Sequence, residues 1–90
     1  MMRRYKVVLA RQVHKDLKRL HRSDPKLYSQ ILGAIESLGI NPRPDGVKKL
    51  TGREEYRMRV RTWRVLYSIH DNVVTVRITR VAPRGAVYDV

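Results

Sequence analysis

Cysteine is missing from all 90 residues. Without a thiol there is neither a disulfide framework nor a thiolate metal site, which fits a reducing compartment. Histidine is scarce: His14, His21 and His70 fall on an expected helix face, a helix end and a strand end. None has a second ligand at workable spacing, so no metal is expected. Acid is short as well, with 8 Asp plus Glu against 20 Lys plus Arg. Those few carboxylates fall on expected helix surfaces, caps and turns, which argues against a paired-carboxylate mechanism. No Ser-His-Asp arrangement, P-loop or dinucleotide fingerprint appears, and no cofactor is expected. Long hydrophobic runs are missing too. The apolar stretch after Lys6 stops at Arg11, short of the roughly 7–15 residues of a secretory core segment, so a cytoplasmic protein is expected. Nothing supplies the exposed apolar face or lipidation site that a membrane anchor needs.

What is present in excess is positive charge, a formal +12 with a pI near 10.9. A charge of that size implies an anionic partner, either nucleic acid or an acidic protein. A chain of 90 residues makes one small domain, 1–90, able to bury over about 60% of its unfolded surface.

The charge is concentrated in one stretch. From Tyr56 to Arg61 apolar residues alternate with arginines, Tyr56, Met58 and Val60 against Arg57, Arg59 and Arg61. A period of two marks a half-buried strand. After Thr62 a second run places Trp63, Val65, Tyr67 and Ile69 on one parity and Arg64, Leu66, Ser68 and His70 on the other. Two strands this close leave no room for a crossover helix and must form an antiparallel hairpin. Arg57, Arg59, Arg61 and Arg64 are then expected to share one patch. Their mutual repulsion points to a polyanionic partner, against the plainer reading of a solvated basic surface. The lack of interspersed acids on that face favours a partner. Trp63 and Tyr67 have the core parity.

Residues 4–10 read as a first strand. Val13, Leu17 and Leu20 then draw an amphipathic helix with a basic outer face. Ser23-Asp24-Pro25 starts a second helix, in which Leu27, Ile31, Ala34, Ile35 and Leu38 form the apolar stripe and Gly39 is expected at a left-handed C-cap. Gly33 inside that helix suggests close packing. The segment Asn41–Gly46 is a loop, a short strand follows around Val47–Leu50, and Thr51-Gly52 turns into the hairpin. Asp71-Asn72 is a turn, Val74–Thr79 the last strand and Val81–Val90 a tail. The expected fold is α+β: an N-terminal strand, an antiparallel helix hairpin, then three to four antiparallel strands, with the helices on one sheet face. The other face carries the arginines. Guanidinium groups there could bind a scissile phosphate and stabilise the charge of its pentacoordinate state, with a phenol as an unusual base. For Tyr88, function and packing remain equally open on the residues alone.

Taken together, Lys15-Asp16-Leu17-Lys18-Arg19-Leu20, Leu50-Thr51-Gly52, Tyr56–Arg61, Trp63-Arg64-Val65-Leu66-Tyr67 and Arg84-Gly85-Ala86-Val87-Tyr88 resemble the RelE/ParE superfamily of type II toxins over nearly the whole length. The resemblance implies a RelE-like fold and, for RelE members, a ribosome-dependent endoribonuclease that cuts mRNA in the A site through the 2′-OH, without a metal. It implies Arg57, Arg59, Arg64, Arg84 and Tyr88 as catalytic residues, with arginine at 57 and 59 where lysine is common and Pro83 where histidine is common. Lys48, Lys49, Arg53, Arg61 and Arg77 are expected to add RNA contacts. Implied partners are the ribosome, mRNA and a cognate acidic RelB-like antitoxin in a toxin–antitoxin hetero-oligomer. That antitoxin is expected to cover the arginine face or displace the Tyr88 tail. ParE members share the fold and inhibit DNA gyrase, and they remain the alternative, beside a non-catalytic basic binding module.

Overall fold

A computed structural model describes residues 4–85. The order is β1 (Lys6–Leu9), α1 (Arg11–Ser23), α2 (Pro25–Ile40), β2 (Lys48–Lys49), β3 (Glu55–Val60), β4 (Trp63–His70), a 3-10 turn at Asp71–Val73 and β5 (Thr75–Pro83). Strands β2 to β5 are antiparallel neighbours, as expected. β1 joins the far side of β5 in parallel, so the sheet is mixed and ordered β1-β5-β4-β3-β2. A parallel neighbour requires a crossover connection, and the chain makes it through the α1–α2 hairpin and then strands β2 to β4.

Helix α2 starts where the sequence indicates. The Asp24 carboxylate accepts the Leu27 N–H at 3.1 Å and Pro25 opens the first turn, which satisfies a donor that has no partner within the helix. Its end differs from expectation. The helix runs on to Ile40, and Gly39 is a buried helical residue. A Cβ at 39 would lie 3.1 Å from the Tyr5 carbonyl and 3.2 Å from Val7 Cγ2, while Tyr5 N–H donates to the Gly39 carbonyl at 2.7 Å. Gly39 therefore serves the approach of β1 to α2. Gly33, by contrast, has open space around it, so close packing does not explain it.

The core lies between the helices and one sheet face. Val13, Leu17 and Leu20 of α1 and Leu27, Ile31, Ile35 and Leu38 of α2 meet Met58, Val65, Tyr67, Val76, Ile78 and Val81. The last of these is reached by a register shift. β5 keeps its alternation through Ile78, then a bulge opposite Leu66 and Tyr67 adds a residue. A bulge re-aims the side chains beyond it. Val81 thereby enters the core and extends the strand to Pro83, where the sequence suggested a tail. The carboxylate of Asp16, expected on a helix surface, is buried at 6% exposure and accepts the Val81 N–H at 3.1 Å.

Candidate nucleic-acid interface

The sheet face away from the helices carries the even-parity residues of β4 and their cross-strand partners. Register fixes who meets whom. Arg59 lies directly opposite Arg64, and Arg64 opposite Ala82. The next row runs Lys48, Arg57, Leu66. The row after that runs Glu55, Ser68, Arg77, Val8. Directly opposed residues have Cβ atoms about 5 Å apart, and like charges there are destabilising. The Arg59–Arg64 pair is such a juxtaposition.

Arg57 and Arg59, with Arg64 directly opposite Arg59 on the neighbouring strand, are brought together. Arg64 is nevertheless only 3% exposed, and neither it nor Arg57 is without a partner. Its neighbours on this face include a small apolar cluster of Leu50, Leu66 and Ala82, all buried. The face is thus not a bare row of cations. Arg84 is exposed at the same end of the sheet, its N–H bonded to the Thr62 carbonyl at 2.9 Å beside the β3–β4 turn. Tyr88 lies outside the described residues.

The outer contacts divide. Lys48 is exposed opposite Arg57, and Arg77 is exposed on the same face. Lys49 pairs with Tyr56 and so has the other parity, with its ammonium 3.8 Å from Glu54. Arg61 leaves the shared patch. The pair Val60–Trp63 closes a two-residue loop in which Arg61 takes a positive φ of 57°, as such tight hairpins require. Its guanidinium reaches Gln30 on α2 at 3.5 Å.

One acid stands among the cations, which the sequence reading did not anticipate. Glu55 opens β3 on the arginine face, where it pairs with Arg53 and accepts the Thr79 hydroxyl. Extending the two-residue period one step back from Arg57 would have found it. Arg53 is accordingly engaged with Glu55. Asp16 and Arg80 were also missed as a pair, with Arg80 Nε 3.3 Å from the buried carboxylate. Asp16 is three residues from Val13 and four from Leu20, which puts it within the apolar stripe.

The helix side of the same strands has its own polar end. Tyr56 and Tyr67 stack at 5.7 Å, and Arg43 lies 5.8 Å over the Tyr56 ring. Burial pushes the Tyr67 phenol up to about 12, and its hydroxyl donates to the Pro42 carbonyl at 2.8 Å. Arg43 and the Tyr5 hydroxyl both reach Asp71, at 2.9 and 2.6 Å. These two hydrogen bonds hold the Asp71 carboxyl below the usual range, while the bond to Asp71 raises the Tyr5 phenol. This cluster pins the α2–β2 loop to the β4–β5 turn.

Comparison with known proteins agrees with this fold. The sequence pattern of the ParE toxin of type II toxin–antitoxin systems matches residues 7–88. A search of the curated proteins finds no match. Among solved structures, the archaeal RelE in the RelE–RelB complex from Pyrococcus horikoshii superposes with a TM-score of 0.75 at 30% identity, over 92% of this chain and 98% of that one. The RelBE2 toxin–antitoxin complex of Mycobacterium tuberculosis gives 0.79 at 28% identity, over 93% and 95%. The isolated E. coli RelE toxin gives 0.73 at 21% identity, over 88% and 83%, a likeness of fold. With the helix hairpin, the mixed sheet and the family pattern all in agreement, the chain belongs to the RelE/ParE superfamily of type II toxins.

Proposed function

We propose that this toxin is a RelE-type endoribonuclease that cuts mRNA in the ribosomal A site. The observation that carries the reading is the Arg59–Arg64 pair, opposed across β3 and β4 with Arg57 one step along the same face. Folding gains nothing from opposed like charges, whereas a phosphodiester entering between them meets donors in fork geometry on both sides. In the proposed reaction the 2′-oxygen attacks phosphorus, the bond to the 5′-oxygen breaks, the 5′-oxygen takes a proton from water and leaves as a hydroxyl, and a 2′,3′-cyclic phosphate results. Arg57, Arg59 and Arg64 hold the phosphate and stabilise its added charge, and Arg84 approaches from the β5 end. Tyr88 takes the 2′-hydroxyl proton, a role assigned from the superfamily resemblance. A phenol is a poor base unless neighbouring cations favour its phenolate. Arginine at 57 and 59 restricts those two positions to electrostatics, because a guanidinium hardly gives up its proton.

The partner that restrains the toxin is an acidic antitoxin. Toxins at 30% and 28% identity form complexes with RelB-type proteins, and +12 on this chain suits an acidic one.

A second reading is gyrase inhibition, favoured by the match to the ParE pattern and by the burial of Arg64. Primer extension on translating ribosomes, run beside a gyrase supercoiling assay on the same preparation, separates the two. Breaks confined to A-site codons support the nuclease. Blocked supercoiling with intact mRNA overturns it in favour of the second reading.

A further inference from the structure

The arginine face continues past Arg57. Beyond the row of Glu55, Ser68, Arg77 and Val8, the next row runs His70, Thr75, Lys6. Directly opposed residues share a face of the sheet, so these side chains stand on the same side as Arg59 and Arg64. Lys6, His70 and Arg77 are exposed there, and Ser68 is half-buried. Thr75 is the centre of the group. Its hydroxyl donates to the Val73 carbonyl at 2.9 Å, and Lys6 and His70 flank it on the neighbouring strands. Arg77 follows two residues along β5, about 7 Å away.

Neither described acid near this end is uncommitted. Glu55, in the Ser68 row, is engaged by Arg53 and the Thr79 hydroxyl. Asp71, which follows His70, is held by Arg43 and Tyr5. Among the described residues no carboxylate pairs with Lys6 or Arg77, so their positive potential is left for a ligand. A neutral donor stands beside them. Ser68 Oγ and His70 Nε2 are 2.9 Å apart. If the hydroxyl donates, the imidazole hydrogen is on Nδ1; if the imidazole donates, the hydroxyl hydrogen is free. In either tautomer the pair keeps one donor to offer. Two cations and a donor converging on one point suit an anion with several oxygens.

We propose that Lys6, Ser68, His70 and Arg77 form a second phosphate subsite, which holds the RNA strand away from the bond that is cut. Ser68 is four residues from Arg64 along β4, about 13 Å, and Arg57 lies in the row between them. That distance leaves room for an intervening nucleotide, so the subsite takes a phosphate beyond the immediate neighbour of the scissile one. The inference rests on the reading that RNA is cut on this face. It adds where the rest of the strand runs, across β4 and β5 towards β1, and it makes affinity depend on RNA length.

The test titrates the full chain into fluorescein-labelled oligouridylates of about three and about ten nucleotides, below and within the usual range of single-strand site sizes, and reads anisotropy. The longer strand should bind the parent more tightly. Lys6→Gln combined with Arg77→Gln should weaken the longer strand at least about tenfold and lower its salt slope by about 0.7, the contribution of one phosphate. The shorter strand should stay within about twofold of its parental affinity, because the Arg57, Arg59 and Arg64 end still holds it. Both replaced side chains are exposed, so the urea midpoint should match the parent's. Ser68→Ala gives a second reading with no change of charge, a loss of about two- to tenfold on the longer strand alone, the scale of one hydrogen bond. Equal losses on both lengths, a longer strand that binds the double variant as it binds the parent, or no advantage of length on the parent each overturns the proposal. If the longer strand loses affinity as expected while A-site codons stay intact on ribosomes, the subsite stands and the nuclease reading falls. If the codons are cut and the double variant binds both strands like the parent, the subsite alone falls.

Discussion

The two faces of β3 and β4 differ less in burial than in what they bury. On the helix side Met58, Val65 and Tyr67 are 9%, 0% and 0% exposed; on the other side Arg64 is 3% and Leu66 4% exposed. The helix side gains from each group it removes from water. The opposite side holds a guanidinium out of water directly across from another one, an arrangement that costs stability unless something is gained elsewhere. One sheet thus separates the residues that hold the fold from those held ready by it.

The largest expected effect probes the helix side. Ile31 is fully buried, and Ile31→Ala should cost roughly 2–5 kcal/mol, read as a lower urea midpoint. A loss below about 1 kcal/mol would mean that the helix side is not the stabilising half. Tyr67→Phe comes next. It deletes the hydroxyl that satisfies the Pro42 carbonyl inside the core, so a loss of about 1–2 kcal/mol is expected in the same assay. RNA affinity should be unchanged, and a change would couple the faces.

On the arginine face the expected effects are on binding. Glu55→Gln removes a carboxylate from the arginine face. It should tighten single-stranded RNA binding about two- to fivefold at low salt and less at physiological salt. Equal affinity at every salt concentration would place the RNA elsewhere. The smallest effect concerns acid. Asp71 has a folded-state pKa below its ordinary value of 3.8, chiefly through Arg43. The stability from this contact is therefore fully present above about pH 4 and falls away as pH drops through the depressed value. Arg43→Gln should flatten that acid limb in a urea-midpoint series from pH 5 to pH 2, by lowering stability slightly at the upper end of the series and leaving it unchanged at pH 2. An acid limb as steep as the parent's would mean that another carboxylate carries it.

The helix side was legible in the sequence because periodicity encodes it. Val13, Leu17 and Leu20 recur at helical spacing, Met58 and Val65 at strand spacing, and all of them are in the core. Asp24 and Pro25 marked the start of α2 for the same local reason. What was not legible depends on the partner element. Gly39 looks like a cap until Tyr5 and Val7 are known to lie against it. The β5 bulge breaks the two-residue period at Thr79 and Arg80, so Val81 reads as tail when it is core. Arg61 follows the strand alternation but sits in the turn, where a positive φ sends it toward α2. Arg64 has the parity of the exposed face, yet its burial depends on what covers that face, which alternation does not record.

The most direct measurement takes Arg59→Ala through both halves of the comparison. Arg59 is exposed and opposed to Arg64, so its removal should leave the urea midpoint unchanged or slightly raised, because a repulsion is relieved. Cleavage of A-site codons on translating ribosomes should fall about 10²-fold, the scale of one lost transition-state donor. Parental cleavage by a folded Arg59→Ala protein, or a fall in cleavage matched by a fall in stability, would contradict the division of this sheet into a face that holds the fold and a face that works on RNA.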